Sequence, residues 1–194
     1  MKAQDLPFTQ LLEGSKQFII PIFQRTYSWE RSHCEQLWND ILRVGGNPEL
    51  NSHFIGSAVY IPEQETSAAI SRWLVIDGQQ RITTMTLLLL SLKCRLEEQQ
   101  LEEPVSPALI EDYYLKNRYG KGELSYKMLL TKSDKDTLIA LLDGKQPTEP
   151  SSFRIADNFR FFSERMAGAD LKIVACASAT PSRVTGPRTR SNWS

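Results

Sequence analysis

The sequence has few of the residues from which disulfide frameworks and metal centres are built. Its 194 residues include three cysteines and two histidines. The cysteines have no CxxC spacing and cannot all pair. We therefore expect reduced thiols in a cytoplasmic protein, and neither a zinc site nor another metal centre formed by protein ligands alone. No Ser-His-Asp or Cys-His arrangement stands out, and two histidines are too few for an HNH nuclease centre.

A net charge and a long hydrophobic run are also missing. The 23 basic and 23 acidic side chains cancel, which argues against a general nucleic-acid binder, because neutralising phosphates requires an excess of lysine and arginine. The longest apolar stretch, residues 85–92, is much shorter than the roughly 18 residues of a membrane helix. The first residues contain no apolar signal region. We expect no contact with membranes and no secretion.

Hydrophobic periodicity predicts an α/β fold of the α+β type. Helices are expected at residues 5–13, 31–44, 81–99, 108–117, 132–142 and 155–166. Strands are expected at residues 17–20, 54–61, 73–76 and 171–174. The helix at 81–99 is apolar over most of its circumference, which indicates a buried helix. The strand at 73–76 is too apolar for the edge of a sheet.

The composition changes near residue 175. Residues 175–194 contain three arginines, no acidic residue and no Leu, Ile or Phe. Such a segment cannot bury enough apolar surface to offset the entropy of ordering, so we predict a disordered tail. Because the tail follows an apolar predicted strand, two explanations stay open: a natural flexible tail, or a truncated or frameshifted end.

The most informative segment is residues 74–84, a strand, a glycine turn and a helix in direct succession. Free backbone amides and the helix dipole attract anions to such a helix start. Gly78 allows a ligand to approach the backbone, and the forked guanidinium of Arg81 can pair with phosphate. Thr83 and Thr84 add hydroxyl donors. Asp77 would either cap the helix or hold a cation.

This segment also has an interpretation without a ligand. In it, Asp77 is the N-cap of the helix and Arg81 forms a salt bridge. The motif is short and is not a P-loop, since GxxxxGK[ST] is absent.

A second segment, residues 20–30, combines Gln24 and Arg25 with the aromatic residues Tyr27 and Trp29. A loop of this composition can bind phosphate and stack a nucleobase. The alternative is that both aromatic side chains pack under the following helix while Arg25 pairs with Glu30.

Four segments together resemble the N-terminal domain of GmrSD-type restriction enzymes. They are IPIFQRTYSWE (residues 20–30), QLWNDI (36–41), HFIGSAVY (53–60) and WLVIDGQQRITTMTLLLL (73–90). The resemblance implies a ParB/sulfiredoxin-like core with a small mixed sheet and a helical extension. In this family the DGQQR turn, here residues 77–81, binds and in some members hydrolyses a nucleoside triphosphate. The family's continuation is missing after residue 174, which favours the truncated or frameshifted end.

The resemblance and the chemistry of the helix start together assign roles to residues, Thr83 and Thr84 coming from the helix start alone. Asp77 and Arg81 are the expected catalytic residues, with Mg²⁺ or the attacking water at Asp77. The expected nucleotide-binding residues are Gln24, Arg25, Gly78, Gln79, Gln80, Arg81, Thr83 and Thr84. We predict a nucleotide-binding core at residues 1–100, a partial helical extension at 101–174 and a tail outside the family at 175–194.

The function implied is that of an anti-phage defence protein that recognises modified DNA. Nucleotide turnover would regulate or power a nuclease domain further along the chain. Contact with DNA would then go through other domains or partners, and a homo-oligomer is compatible with the sequence. The alternatives are a ParB-like DNA-binding adaptor without hydrolysis and an inactive fragment.

Overall fold

The computed structural model describes residues 3–6, 8–47, 49–50, 56–63, 70–103, 105–148, 152–179 and 184–187. Within these ranges, the strands are β1 (Ala3–Leu6), β2 (Lys16–Ile19), β3 (Val59–Pro62), β4 (Ser71–Asp77), β5 (Met128–Leu129) and β6 (Val184–Pro187). The helices are α1 (Phe8–Leu12), α2 (Arg31–Gly45), α3 (Gln79–Glu98), α4 (Pro107–Ile110), α5 (Lys132–Leu142), α6 (Phe153–Ala167) and α7 (Leu171–Ala179).

A four-stranded mixed sheet lies at the centre, in the order β3-β4-β2-β5. Strand β4 runs parallel to β2 and antiparallel to β3, and β2 also runs parallel to β5. Strands β1 and β6 form a separate antiparallel pair. This arrangement confirms the predicted α+β class and the interior position of the strand that contains Trp73.

Helix α3 starts directly after β4 and forms the centre of the core. Every residue from Ile82 to Leu92 is buried, as the apolar character of nearly its whole circumference predicts. It packs against α4, α6 and α7. The last residue of β4 and the first turn of α3 are thereby fixed between a central strand and a buried helix.

The second half of the chain contributes to the same core. Phe18 of β2 pairs with both Trp73 of β4 and Met128 of β5, so a strand from beyond residue 100 extends the central sheet. Helix α7 packs against α2. Residues 175–179 of the predicted tail belong to α7. Strand β6, which also lies in the predicted tail, pairs with β1. The predicted domain boundaries stay predictions.

The strand expected at residues 171–174 is wrong, because these residues begin helix α7. A four-residue apolar run fits a buried helix as well as a buried strand, and periodicity alone does not separate the two. Asp170 decides the outcome: its carboxylate accepts a hydrogen bond from Lys172 N–H at 2.9 Å and its carbonyl accepts one from Val174 N–H at 3.3 Å. Both bonds are typical of a capped helix start.

Other predicted elements differ in their bounds. The helix expected at residues 108–117 is the short α4 followed by a π-helical turn at Glu111–Leu115. The strand expected at residues 54–61 begins at Val59, and residues 51–55 lie outside the described ranges.

Candidate functional site

Gly78 joins β4 to α3 in a conformation that other residues rarely adopt. It is the N-cap of α3 and has a φ of 90°, in the left-handed region that favours glycine. A β-carbon here would lie 2.9 Å from Ser57 O and 3.0 Å from Ala58 Cα. The missing side chain therefore accommodates the protein's own backbone, so that the segment before β3 lies against the turn.

The first turn of α3 presents open backbone donors. The amides of Gln79, Gln80 and Arg81 precede the first N–H that can bond within the helix, which is that of Ile82 to Gly78 O at 3.1 Å. No side chain caps this helix. The alternative in which Asp77 is the N-cap is therefore wrong, and its exposed side chain lies beside the turn instead.

Arg81 lies on this first turn, and the backbone before β3 holds its side chain. Its Nη1 donates to Ser57 O at 3.0 Å. The guanidinium also packs against Gly56, where a β-carbon would lie 2.7 Å from Arg81 Cζ. Among the described residues Arg81 has no carboxylate partner, contrary to the salt bridge of the alternative interpretation. Its other N–H groups therefore remain available to a ligand.

The side chains of Gln79 and Gln80 attach the second predicted segment to the helix start. Gln79 Nε2 donates to Arg25 O at 3.1 Å, and Gln80 Nε2 donates to Thr26 O at 3.3 Å. Gln80 Oε1 accepts from Ser28 N–H at 2.8 Å. Both glutamines are buried. Their amide side chains position the loop, and their backbone amides are the groups left for a ligand.

Gln24 and Arg25 lie beside the same turn, as the resemblance implies. Gln24 Nε2 donates to Ile76 O at 2.9 Å, next to the end of β4. Arg25 is exposed, and its guanidinium has no partner among the described residues. The alternative pairing of Arg25 with Glu30 is wrong, because the Glu30 carboxylate pairs with Arg154 at 3.2 Å.

The two aromatic residues of the segment have different environments. Tyr27 is 5% exposed, and its hydroxyl lies 2.7 Å from Thr84 Oγ1 and accepts from Asn158 Nδ2 at 2.9 Å. Burial raises the pKa of Tyr27 far above its usual range. Trp29 is half-buried and stacks on His33, with ring centroids 5.6 Å apart. Tyr27 therefore belongs to the core, whereas Trp29 stays in contact with the surface.

Thr83 and Thr84 do not line the cleft that the other predicted nucleotide-binding residues form. Thr84 Oγ1 donates to Gln80 O at 2.8 Å, in addition to its contact with Tyr27. The Thr83 hydroxyl lies 3.8 Å from Met128 Sδ. Both side chains are almost fully buried. The helix turns them away from its open end, so the structure does not place them where a phosphate would lie.

The remaining predicted residues enclose one cleft of about 160 Å³. One wall is Gln24, Arg25 and Trp29; the other is the turn Asp77, Gly78, Gln79, Gln80 and Arg81. Among the described residues of the lining, two guanidinium groups and the positive end of the α3 dipole are opposed by a single carboxylate. This excess of positive charge favours the binding of an anion with several oxygen atoms.

Three contributors escaped the sequence reasoning. Asp134 is 4% exposed and its Oδ2 accepts from Tyr27 N–H at 2.7 Å. Asn158 Nδ2 donates to Trp29 O at 2.9 Å as well as to the Tyr27 hydroxyl. The third is Gly56, whose backbone lies against the Arg81 guanidinium. No local pattern marks the first two, because their partners lie more than a hundred residues away in sequence.

Two features are absent from the described part of the chain. No group of three or more His, Cys, Asp or Glu side chains is arranged to hold a metal ion. No helix there has the length and apolar character needed to cross a membrane.

The chain matches a known protein family. Residues 8–177 match the sequence model of the GmrSD restriction endonuclease, N-terminal domain. No curated protein matches the sequence. The matched residues span most of the chain and include the described cleft lining. The chain therefore has the N-terminal domain of GmrSD enzymes and belongs to this family of restriction (anti-phage defence) proteins.

Proposed function

We propose that the cleft binds the phosphate groups of a nucleoside triphosphate, and that the domain hydrolyses this nucleotide to control DNA cleavage. One observation carries the proposal. Arg25 and Arg81 come from segments that are more than 50 residues apart in sequence, yet both border the open start of α3. Paired arginines beside free helix-start amides are a recurrent way to hold phosphate oxygens.

The dimensions of the cleft limit what it holds. Sites that enclose a whole small molecule usually have volumes of roughly 300–1,000 Å³. A cleft of about 160 Å³ suits a chain of phosphates rather than a complete nucleotide. The nucleoside then lies at the rim, outside the space between Arg25 and Arg81.

Asp77 is the residue through which we propose hydrolysis. It borders the cleft and is exposed at the end of β4. Mg²⁺ commonly binds through one or two carboxylates together with substrate phosphates, and the single carboxylate here fits that donor set. Asp77 would hold the ion or orient the attacking water, while the arginines neutralise charge. Positioning and charge neutralisation supply most of phosphoryl-transfer catalysis, so no further acid or base is required.

The nuclease reaction itself belongs, in this proposal, to a domain outside these residues. Nucleotide turnover in the cleft would regulate or power that domain, and modified DNA would be recognised through other domains or partners. A DNA-binding adaptor is the competing proposal, in which the same turn contacts DNA phosphates without turnover.

Binding measured by calorimetry tests the phosphate site. ATP, GTP and inorganic tripolyphosphate are titrated into the wild-type chain and into Arg25→Ala and Arg81→Ala. Each substitution removes charge-assisted hydrogen bonds, so we expect each to weaken binding of all three ligands about tenfold or more. Arg160→Ala is the matched control, because that exposed arginine on α6 pairs with Asp157 away from the cleft.

The same wild-type and variant chains distinguish the proposed nucleotide-hydrolysing enzyme from the DNA-binding adaptor. Release of phosphate from ATP or GTP in the presence of Mg²⁺ supports the enzyme. Absence of triphosphate binding, together with DNA binding that weakens steeply with salt and depends on Arg25 and Arg81, would establish the adaptor instead. Full triphosphate affinity in both arginine variants would refute the site.

A further inference from the structure

We infer that the indole ring of Trp29 holds the base of the nucleotide by stacking, an inference that rests on the proposed function. The cleft is too small for the phosphates and the nucleoside together, so the base lies against its rim. Trp29 is the aromatic side chain of the described lining. It comes from the same wall as Gln24 and Arg25, opposite the turn that would hold the phosphates.

The position of His33 indicates which part of the indole is available. The two rings stack at an interplanar angle of 26°, with centroids 5.6 Å apart. His33 does not line the cleft, whereas Trp29 does. The imidazole covers part of the indole from outside the cleft, and the inferred stacking uses the ring surface that the imidazole leaves uncovered.

Trp29 is held in place without a ligand. Its carbonyl accepts a hydrogen bond from Asn158 Nδ2 at 2.9 Å, and its ring packs partly against the hydrophobic core. Stacking on His33 restrains it further. A base that binds to an ordered ring loses less free energy to side-chain ordering than one that must immobilise a mobile side chain.

Nearby aromatic and apolar residues do not fit this role. Tyr27 is 5% exposed and its hydroxyl is engaged with Thr84 and Asn158. Ile22 and Phe23 are 83% and 75% exposed, but neither lines the described cleft. Among these residues, Trp29 alone is both partly exposed and part of the described cleft lining.

Stacking on Trp29 predicts how the affinities for nucleotides with different bases compare. Every nucleobase has a π-face, so a stacking platform accepts all four bases, and it favours purines because their rings are larger. The indole N–H of Trp29 has no partner among the described residues and remains free for a ligand. We therefore expect ATP and GTP to bind alike and both to bind more tightly than CTP.

The test compares ATP with tripolyphosphate, which carries the phosphates without a base. In the wild-type chain ATP should bind more tightly and quench part of the tryptophan fluorescence, whereas tripolyphosphate should leave it unchanged. Trp29→Ala should lose ATP affinity about tenfold or more and keep its tripolyphosphate affinity. Trp29→Phe should retain most ATP affinity and lose the quenching. Phe23→Ala is the control and should bind ATP as the wild type does.

The two ligands separate the possible failures. Tripolyphosphate affinity also shows that a variant has folded with its cleft intact. If the wild-type chain binds neither ligand, the phosphate site is refuted and the stacking with it. If it binds both, but Trp29→Ala keeps full affinity for ATP as well as for tripolyphosphate, only the stacking is refuted.

Discussion

The guanidinium of Arg81 packs so closely against the backbone of Gly56 that a β-carbon on the glycine would lie 2.7 Å from Arg81 Cζ and Nε. The Gly56 backbone has a φ of 107°, which L side chains rarely adopt. Together with the bond from Arg81 Nη1 to Ser57 O, this contact fixes the guanidinium at the mouth of the cleft. A glycine outside the described cleft lining thereby helps to determine where the Arg81 guanidinium, our proposed phosphate-binding group, lies.

Gly56→Ala should therefore weaken triphosphate binding about as much as Arg81→Ala does, because the new methyl group displaces the guanidinium. Calorimetric titration with tripolyphosphate measures the effect. Gly144→Ala is the matched control: Gly144 has a φ of 67°, and a β-carbon there meets no atom within 4 Å. Gly144→Ala places an alanine at a positive φ, as Gly56→Ala does, but displaces no arginine side chain. Equal losses in both variants would assign the effect to strain alone.

Asp77→Asn should separate binding from turnover. The substitution removes the one negative side chain of the described cleft lining, so triphosphate affinity without Mg²⁺ should stay the same or increase. Mg²⁺-dependent release of phosphate should fall by at least tenfold, since the carboxylate that would hold the ion or the water is lost. Unchanged release would exclude Asp77 from the reaction.

Tyr27→Phe should destabilise the chain by about 1 kcal/mol, measured as the free energy of unfolding in urea. The lost hydroxyl contacts Thr84 Oγ1 and Asn158 Nδ2. Each of these partners keeps a second bond, to Gln80 O and to Trp29 O respectively, so the cost stays moderate. Tyr119→Phe, at an 85% exposed position, should have no effect. A loss of similar size at Tyr119 would contradict this reasoning.

Stability should rise as the pH increases from about 8. Burial, with the neighbouring Lys16, lowers the pKa of Lys127 from 10.5 to about 8. Between these values the unfolded chain binds more protons than the native one, so the free energy of unfolding increases with pH. Burial raises the pKa of Cys34 from 9.0 to about 11, which has the opposite effect above pH 9. The rise should therefore be clearest between pH 8 and 9.

Lys127→Met tests this assignment. The variant loses the hydrogen bond from Lys127 Nζ to Gly14 O, so its absolute stability changes, but the slope against pH is the quantity to compare. Chemical unfolding at pH 8 and pH 9 should show a flat profile for Lys127→Met. The exposed Lys172→Met should keep the wild-type slope. A slope that persists without Lys127 would assign the effect to other groups.

Sequence reasoning succeeded where the determinants are local. Strand β4, Gly78 and helix α3 follow one another directly along the chain, so their succession could be predicted from a short segment. Hydrophobic periodicity identified α3 as a buried helix. It failed where an interaction joins distant residues. Nothing near Gln79 or Gln80 indicates that their side chains bind the backbone of residues 25–28. Likewise, Thr83 and Thr84 carry suitable hydroxyls, and only the packing of α3 shows that these point into the core.

The hydrogen bonds of Tyr27 and Trp29 to Asp134 and Asn158 have a consequence for folding during synthesis. Every described residue that lines the cleft precedes residue 82, but the bonds that hold Tyr27 and Trp29 in place come from α5 and α6. A nascent chain on the ribosome will contain both motifs well before Asn158 has left the exit tunnel. We therefore expect the cleft to become able to bind a ligand only late in translation, when Asn158 can form its hydrogen bonds to Tyr27 and Trp29.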